Sequence, residues 1–394
     1  MNNSFIEMDS CQITKGGQRI CGDVFLLERV AESGRVVATL SDGMGSGVKA
    51  NVLANLTAGM GQRFALAGSD MRKNAEAILN TLPVCRERKI SYATFTLADI
   101  QPDGSTHLVE YDNPLTLWVR GGTCKDPERR AHIMERPGAF REEVLQFSHF
   151  SLQPEDRLVI CSDGVAQSGM GTKPHPLGWR ESGLRDYVEE ILSQDARISA
   201  RDLAKKIAQR AVANDGYQAR DDISCVVAYA RTPRKLLVAT GPPYEASGDA
   251  ELAQSMAQYP GKRAICGGTT ASIISREWNS PVHVNLDERD RSVPPSATLE
   301  GADLVTEGML TLGKTAELLE NRWEADIPAK NAAEKLTLLL RESDEVSFVV
   351  GTRINEAHHD PTLPFELGIR RTLIDRIRRA LELIYLKKTD VTYV

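Results

Sequence analysis

Over roughly the first 230 residues, short apolar runs rich in β-branched residues are separated by polar, glycine-containing turns. Residues 5–28 alternate as two strands with Lys15-Gly16-Gly17 between them, and Asp23 falls inside the second, in Cys21-Gly22-Asp23-Val24-Phe25. Arg35-Val36-Val37-Ala38-Thr39-Leu40 reads as a buried strand, after which apolar residues recur at helical spacing over 50–66 and 71–82. Ser69-Asp70 supplies a cap for the second helix. Strands are expected over 91–100, 107–111, 115–119, 143–147, 157–161 and 223–229, with helices over 184–192 and 200–213. Many strands with few helices, lacking regular βαβ alternation, predict an antiparallel α+β fold for this half. The hinge Arg231-Thr232-Pro233-Arg234-Lys235 ends that pattern. Beyond it, strands over 235–240, 262–266 and 346–350 alternate with helices over 249–258, 269–278, 307–321, 329–341 and 368–386, which predicts an α/β domain. The expected division is therefore 1–231 and 235–394, and a chain of 394 residues is long enough for two cores.

Composition narrows the function classes. The formal charge is −6 and no long basic stripe occurs, which argues against nucleic acid as a partner. The first residues, Met1-Asn2-Asn3-Ser4-Phe5, have neither the basic head nor the apolar core of a signal peptide. No apolar run approaches the roughly 18 residues of a membrane span, so a cytoplasmic protein with no membrane partner is expected. Seven scattered cysteines, without any Cys-x-x-Cys, read as reduced core thiols.

The candidate chemistry lies in acidic words at strand ends. Ser41-Asp42-Gly43-Met44-Gly45-Ser46-Gly47 follows one apolar strand, and Ser162-Asp163-Gly164-Val165 follows another. Asp23 lies in a strand, and Asp221-Asp222 opens the last strand of the first half. A single Ser-Asp-Gly is an ordinary turn; two after buried strands, with further placed aspartates, point to a site. Carboxylates gathered in a cleft need neutralising cations, and an all-oxygen donor set favours Mg²⁺ or Mn²⁺ over zinc or copper. Two such ions about 4 Å apart acidify a bridging water and clamp a phosphoryl group.

Gly22-Asp23, Ser41-Asp42-Gly43-Met44-Gly45-Ser46-Gly47, Ser162-Asp163-Gly164-Val165 and Asp221-Asp222-Ile223-Ser224 resemble, in order, the four signatures of the metal-dependent type-2C (PPM) serine/threonine protein phosphatases, and most closely their bacterial SpoIIE/RsbU-like branch. The resemblance covers roughly residues 5–231. It implies an α-β-β-α sandwich and a two-metal Mn²⁺ or Mg²⁺ site, with activated water hydrolysing phosphoserine or phosphothreonine directly. Carried across, Asp42 would bridge both ions, Asp23 and the Gly43 carbonyl would bind one, and Asp163 and Asp221 the other. Asp222 is a neighbouring candidate whose role can exchange with that of Asp221. Met44 stands where the eukaryotic branch has a histidine general acid, and Arg19 is a weak counterpart of its phosphate-gripping arginine.

The reading from sequence is thus a phosphoprotein phosphatase whose partner is a phosphorylated protein, such as an anti-sigma-factor antagonist, with a homodimer left open. Two rivals remain: a binding module without turnover, and a metal-dependent hydrolase of another phosphate ester. The half from 235 onward is expected to be an accessory, regulatory α/β domain. In it Ile265-Cys266-Gly267-Gly268-Thr269-Thr270-Ala271, a strand, a glycine turn and a helix start, suits either a small anionic ligand or a plain capped turn.

Overall fold

The computed structural model describes residues 4–68, 70–83, 93–134, 142–288, 290, 292–321, 327–353 and 363–394. The predicted strand residues 91 and 92, together with Cys85, lie outside the described residues. The chain divides into two compact units, Met1–Thr232 and Pro233–Val394.

In the first unit the order is β1 (Phe5–Ile13), β2 (Val24–Arg29), β3 (Val36–Ser41), α1 (Gly47–Leu66), α2 (Met71–Thr81), β4 (Phe95–Ile100), β5 (Ser105–Tyr111), β6 (Leu117–Arg120), β7 (Thr123–Lys125), β8 (Arg129–Met134), β9 (Glu143–Ser151), β10 (Arg157–Cys161), α3 (Asp163–Ala166), α4 (Arg180–Gln194), α5 (Ala200–Asn214) and β11 (Ile223–Arg231). The strands form two sheets, β1-β11-β10-β6-β7 and β2-β3-β4-β5-β9-β8, in which every pairing is antiparallel. Helices α4 and α5 cover the first sheet through Leu184, Val188, Leu203 and Ile207, which pack on Val159, Cys161, Cys225 and Val227. Helices α1 and α2 cover the second through Ala65, Ile78 and Leu79, packed on Val37, Leu97 and Val109. The sheets meet on their other faces: Trp118 of β6 stacks on Phe150 of β9 at 4.8 Å, and the Arg29 guanidinium lies 4.1 Å from the Phe5 ring centroid. This explains why β3, β4, β10 and β11 are buried along their whole length and lack the alternation of a half-wet antiparallel sheet. The expected α-β-β-α sandwich is the fold of this unit.

One local expectation needs correction, because β1 and β2 lie in different sheets. β1 and β2 do not pair; β1 joins β11 and β2 joins β3, so the segment 14–23 crosses between sheets. Asp23 therefore precedes β2, which begins at Val24, instead of standing inside the strand. Strands β7 and β8 carry mixed, largely exposed side chains at sheet edges and gave no apolar signal.

The second unit contains β12 (Lys235–Thr240), α6 (Asp249–Gln258), β13 (Lys262–Cys266), α7 (Gly268–Trp278), β14 (His283–Val284), β15 (Ala297–Thr298), β16 (Leu304–Thr306), α8 (Met309–Glu320), α9 (Ala332–Glu342), β17 (Glu345–Val350), α10 (Leu363–Leu383) and β18 (Lys388–Tyr393). The sheet order is β14-β15-β16-β13-β12-β17-β18, parallel from β16 through β18. Alternate residues of β12 face opposite layers. Leu237 and Ala239 pack with α6 and α7, and Leu236 and Val238 with α8, α9 and α10. All six cysteines in the described residues are free; Cys161 and Cys225 face each other across β10 and β11.

Two glycines fix how closely the chain folds on itself beneath the acidic words. A Cβ on Gly43 would lie 2.1 Å from the Ala50 carbonyl oxygen, and one on Gly164 2.1 Å from that of Asp222. Both obstacles are backbone, which cannot rotate away. Gly164→Ala is therefore expected to lower stability by about 1–3 kcal/mol, the usual range for overpacking. Gly59→Ala, within α1 and with nothing within 4 Å of the new carbon, should raise it by about 0.5–1 kcal/mol. Urea titration of the two variants checks the opposite signs.

Candidate active site

The site is assembled where β3, β10 and β11 end or begin. Register between β10 and β11 sets Cys161 opposite Cys225, so Ser162 and Ser224, the next residues outward, bond reciprocally: Ser162 N donates to Ser224 O and Ser224 N to Ser162 Oγ, both at 3.0 Å. That bracket brings Asp163 beside Asp221 and Asp222. Antiparallel pairing of β2 with β3 places Val24 opposite Ser41 and so carries Asp23 next to Asp42. All the sequence-predicted acidic residues are thereby gathered at one edge.

Their environments differ. Asp23 is 2% exposed, held by the Ser162 and Ser224 hydroxyls; burial, with Asp222 and Asp163 nearby, pushes its carboxyl up from the usual range, and its Oδ2 has no hydrogen-bond partner among the described residues. Asp42 is raised further, first by burial, then by the charges of Asp23 and Asp163, by a hydrogen bond to Asp163 and by the charge of Asp221. Asp163 is raised by burial, against hydrogen bonds from Asp42 and Gln167, whose Nε2 donates to Oδ2 at 2.8 Å. Burial is the first common cause, and repulsion between neighbouring carboxylates in a shielded cleft adds to it.

Asp221 and Asp222 separate in role. Asp221 is 44% exposed in its side chain and pairs with Lys15 Nζ at 3.3 Å. Asp222 is 4% exposed; its Oδ1 accepts from Lys15 N at 2.9 Å and its Oδ2 from Gly22 N at 2.8 Å. It thus pins the segment that crosses between the sheets. The Gly43 carbonyl lies at the same place, 3.7 Å from a Cβ built on Gly22. Met44 is half-buried and Arg19 exposed. Lys15, Ser162, Ser224 and Gln167 were not singled out from sequence: their parts depend on strand register and loop path, although Ser162 and Ser224 each stand within a recognised acidic word.

Among the described residues, no three carboxylate, imidazole or thiol groups already stand in metal-ligating geometry. The residues nevertheless fit a divalent cation. The unpartnered, buried Asp23 Oδ2 and the upward displacement of three adjacent carboxyls mark negative charge in need of a counter-charge, and every donor is a hard oxygen.

Because Asp222 holds two backbone amides, its removal should free the crossing segment. Asp222→Ala is expected to speed hydrogen exchange at Lys15 and Gly22 by tenfold or more, since hydrogen bonds to a charged acceptor contribute about 1.5–3 kcal/mol. Asp222→Asn should do so less, and the amides of α5 should not change in either variant.

Several solved structures are similar to the chain. The phosphatase domain of the cell fate determinant SpoIIE from Bacillus subtilis, in a crystal form without domain swapping, shares 16% identity over 59% of this chain and 94% of its own, with a TM-score of 0.43. The RsbU and RsbW domains of a Mycobacterium tuberculosis protein share 15% over 65% of this chain and 70% of theirs, with a TM-score of 0.46. RsbX in complex with magnesium shares 14% over 57% of this chain and 95% of its own, with a TM-score of 0.41. No curated protein sequence matches the chain. The family model described as Stage II sporulation protein E (SpoIIE) matches residues 32–231, just over half of the chain and all of the acidic words except Asp23, and on that match the chain belongs to the SpoIIE family.

Proposed function

We propose that the first unit is a Mn²⁺- or Mg²⁺-dependent phosphatase that removes phosphate from phosphoserine or phosphothreonine on a protein partner. The observation that carries this reading is the convergence of Asp23, Asp42 and Asp163, each displaced upward by burial and by its neighbours' charge, beneath an open glycine loop. Asp42 and Asp163, with Asp23, Asp221 and the Gly43 carbonyl, would hold the cations. Divalent cations in such a cluster supply charge neutralisation for phosphoryl oxygens and acidify water.

The remaining work belongs to the chain. Gly45 and Gly47, at φ +104° and +71°, turn the loop after Asp42 so that it approaches a phosphate without side-chain obstruction. Lys15, at 3.3 Å from Asp221, offers an ammonium able to meet a phosphate oxygen at the rim. Ser162 and Ser224 hold Asp23, and Gln167 holds Asp163, so that the carboxylates are pre-oriented. Beside Gln167 an open cleft of about 520 Å³, lined by Leu177, Arg180, Glu181, Ser182 and Arg185, offers room for the rest of a phosphorylated peptide. Met44 gives no proton, so the leaving serine or threonine oxygen takes one from water or another group.

The bacterial signalling proteins among the similar structures support a regulatory phosphoprotein as substrate, and the second unit is then an accessory domain. No helix among the described residues is long and apolar enough to cross a membrane. Phosphate release from phosphoserine and phosphothreonine peptides, from a nucleotide and from p-nitrophenyl phosphate, after chelation and readdition of Mn²⁺, tests the reading. Asp42→Asn and Asp163→Asn should each lower the Mn²⁺-dependent rate on phosphopeptides at least 100-fold, as loss of a main electrostatic contributor does, with unchanged far-ultraviolet circular dichroism. Turnover of only the nucleotide would make it a hydrolase of another ester, and none at all in the wild type a binding module.

A further inference from the structure

The second unit holds a feature that the phosphatase reading does not use. Strands β13 and β16 are parallel neighbours in register, with Cys266 opposite Thr306, so both end at the same sheet edge. The helices that follow them go to opposite faces. Ala271 and Ile274 of α7 pack with Leu237 and Ile265, whereas Leu312 and Ala316 of α8 pack with Leu236 and Val238. Helices diverging from adjacent strands open a crevice at the carboxyl edge, the place where open α/β sheets take ligands.

Two turns floor this crevice and touch. Gly267 N donates to Thr306 O at 2.9 Å, and a Cβ on Gly308 would be 3.5 Å from the Gly267 Cα. Gly267, at φ +136°, caps α7 with no side-chain bond. The first intrahelical bond of α7 is from Ala271 N to Gly267 O at 2.9 Å, so the amides of Gly268, Thr269 and Thr270 come before it at the positive end of the helix dipole. In α8 the protein supplies its own anion: Glu307 Oε2 accepts from Leu310 N at 3.1 Å. Among the described residues no carboxylate takes that place at α7, whose first turn holds no acidic residue, and Gly268 is exposed, with no described atom within 4 Å of where a Cβ would be.

The second, independent sign is a pair of buried hydroxyls. Thr270 Oγ1, on a residue with 0% exposure, is directed back at the turn, 3.3 Å from the position of a Gly267 Cβ, and has no hydrogen-bond partner among the described residues. Thr311, at the same third position of α8, is equally buried and its Oγ1 is also unpartnered. Leaving a buried hydroxyl unsatisfied is unfavourable, and both occur on the helical turns that flank one crevice.

We propose that this crevice binds the phosphate group of a small phosphorylated molecule, gripped by the α7 amides of Gly268 and Thr269 and by the Thr270 hydroxyl. Backbone amides at a helix start favour a tetrahedral oxyanion, and the glycines at 267, 268 and 308 leave space for its oxygens. The ligand is a simple phosphate ester or a nucleotide.

The test uses the full chain with chelator present, which keeps cations from the first unit. Amide resonances of Gly267, Gly268 and Thr269 are followed by ¹⁵N–¹H spectroscopy during titration with inorganic phosphate and, separately, adenosine 5′-monophosphate. The expected result is a saturable shift of these amides with both, equal for a simple phosphate site and at least tenfold tighter with the nucleotide for a nucleotide site. Gly268→Val should abolish the shift. Thr270→Val should weaken binding about tenfold, in line with one lost hydrogen bond, while the melting temperature of the free protein holds or rises because the deleted hydroxyl has no partner. Unshifted amides at saturating phosphate overturn the proposal, as does a Thr270→Val chain that melts lower and binds as tightly as the wild type.

Discussion

Like charges that cannot leave one another govern the first unit. Asp23, Asp42 and Asp163 are brought together by strand pairing and not by their own affinity, and burial raises the free energy of each ionised carboxyl. The scaffold can hold them because the two sheets and their helices bury β3, β4, β10 and β11 on both faces. The rigidity is local as well: backbone oxygens of Ala50 and Asp222 stand where side chains on Gly43 and Gly164 would be. The Asp-Gly words are thus two requirements in one, a carboxylate for the site and a glycine for the close approach that positions it.

Much of this was legible in the residues. Asp42-Gly43 and Asp163-Gly164 were visible because each follows a run of buried strand residues, and β10, β12, α6 and β13 have the limits that their apolar runs predict. Asp222 was legible as a site candidate whose role could exchange with that of Asp221, but not as the holder of the crossing segment. Its hold on Lys15 N and Gly22 N depends on a segment that crosses between sheets, and two consecutive strands carry no local mark of whether they pair. The same reason hides Ser224 and Gln167, whose partners lie across a strand register or one helical turn away.

Edges explain several of the other omissions, though not β16, a buried run of three residues inside the sheet that is too short to stand out. β7, β8 and β14 are exposed or half-exposed, and β18 closes a parallel sheet with Lys388, Asp390 and Tyr393 in water, so none carries the apolar pattern of a strand. The parallel order of the second unit could be inferred as a class from alternating strands and helices, but not the position of β12 between β13 and β17. That position aligns Gly241, Gly267 and Gly351 along one sheet edge, just past Thr240, Cys266 and Val350. The crevice beside β16 follows from helix faces that only the packed structure defines.

If the acidic cluster holds divalent cations, as proposed, the chain takes them up from solution. The most direct measurement is a titration of the chelator-stripped full chain with Mn²⁺, reading the free ion by electron paramagnetic resonance, beside the Asp42→Asn chain. The account predicts saturable uptake of about two ions per chain by the wild type, as a paired-metal phosphoryl site requires, and loss of that uptake in Asp42→Asn. Equal uptake by the two chains, or none by the wild type, would contradict it.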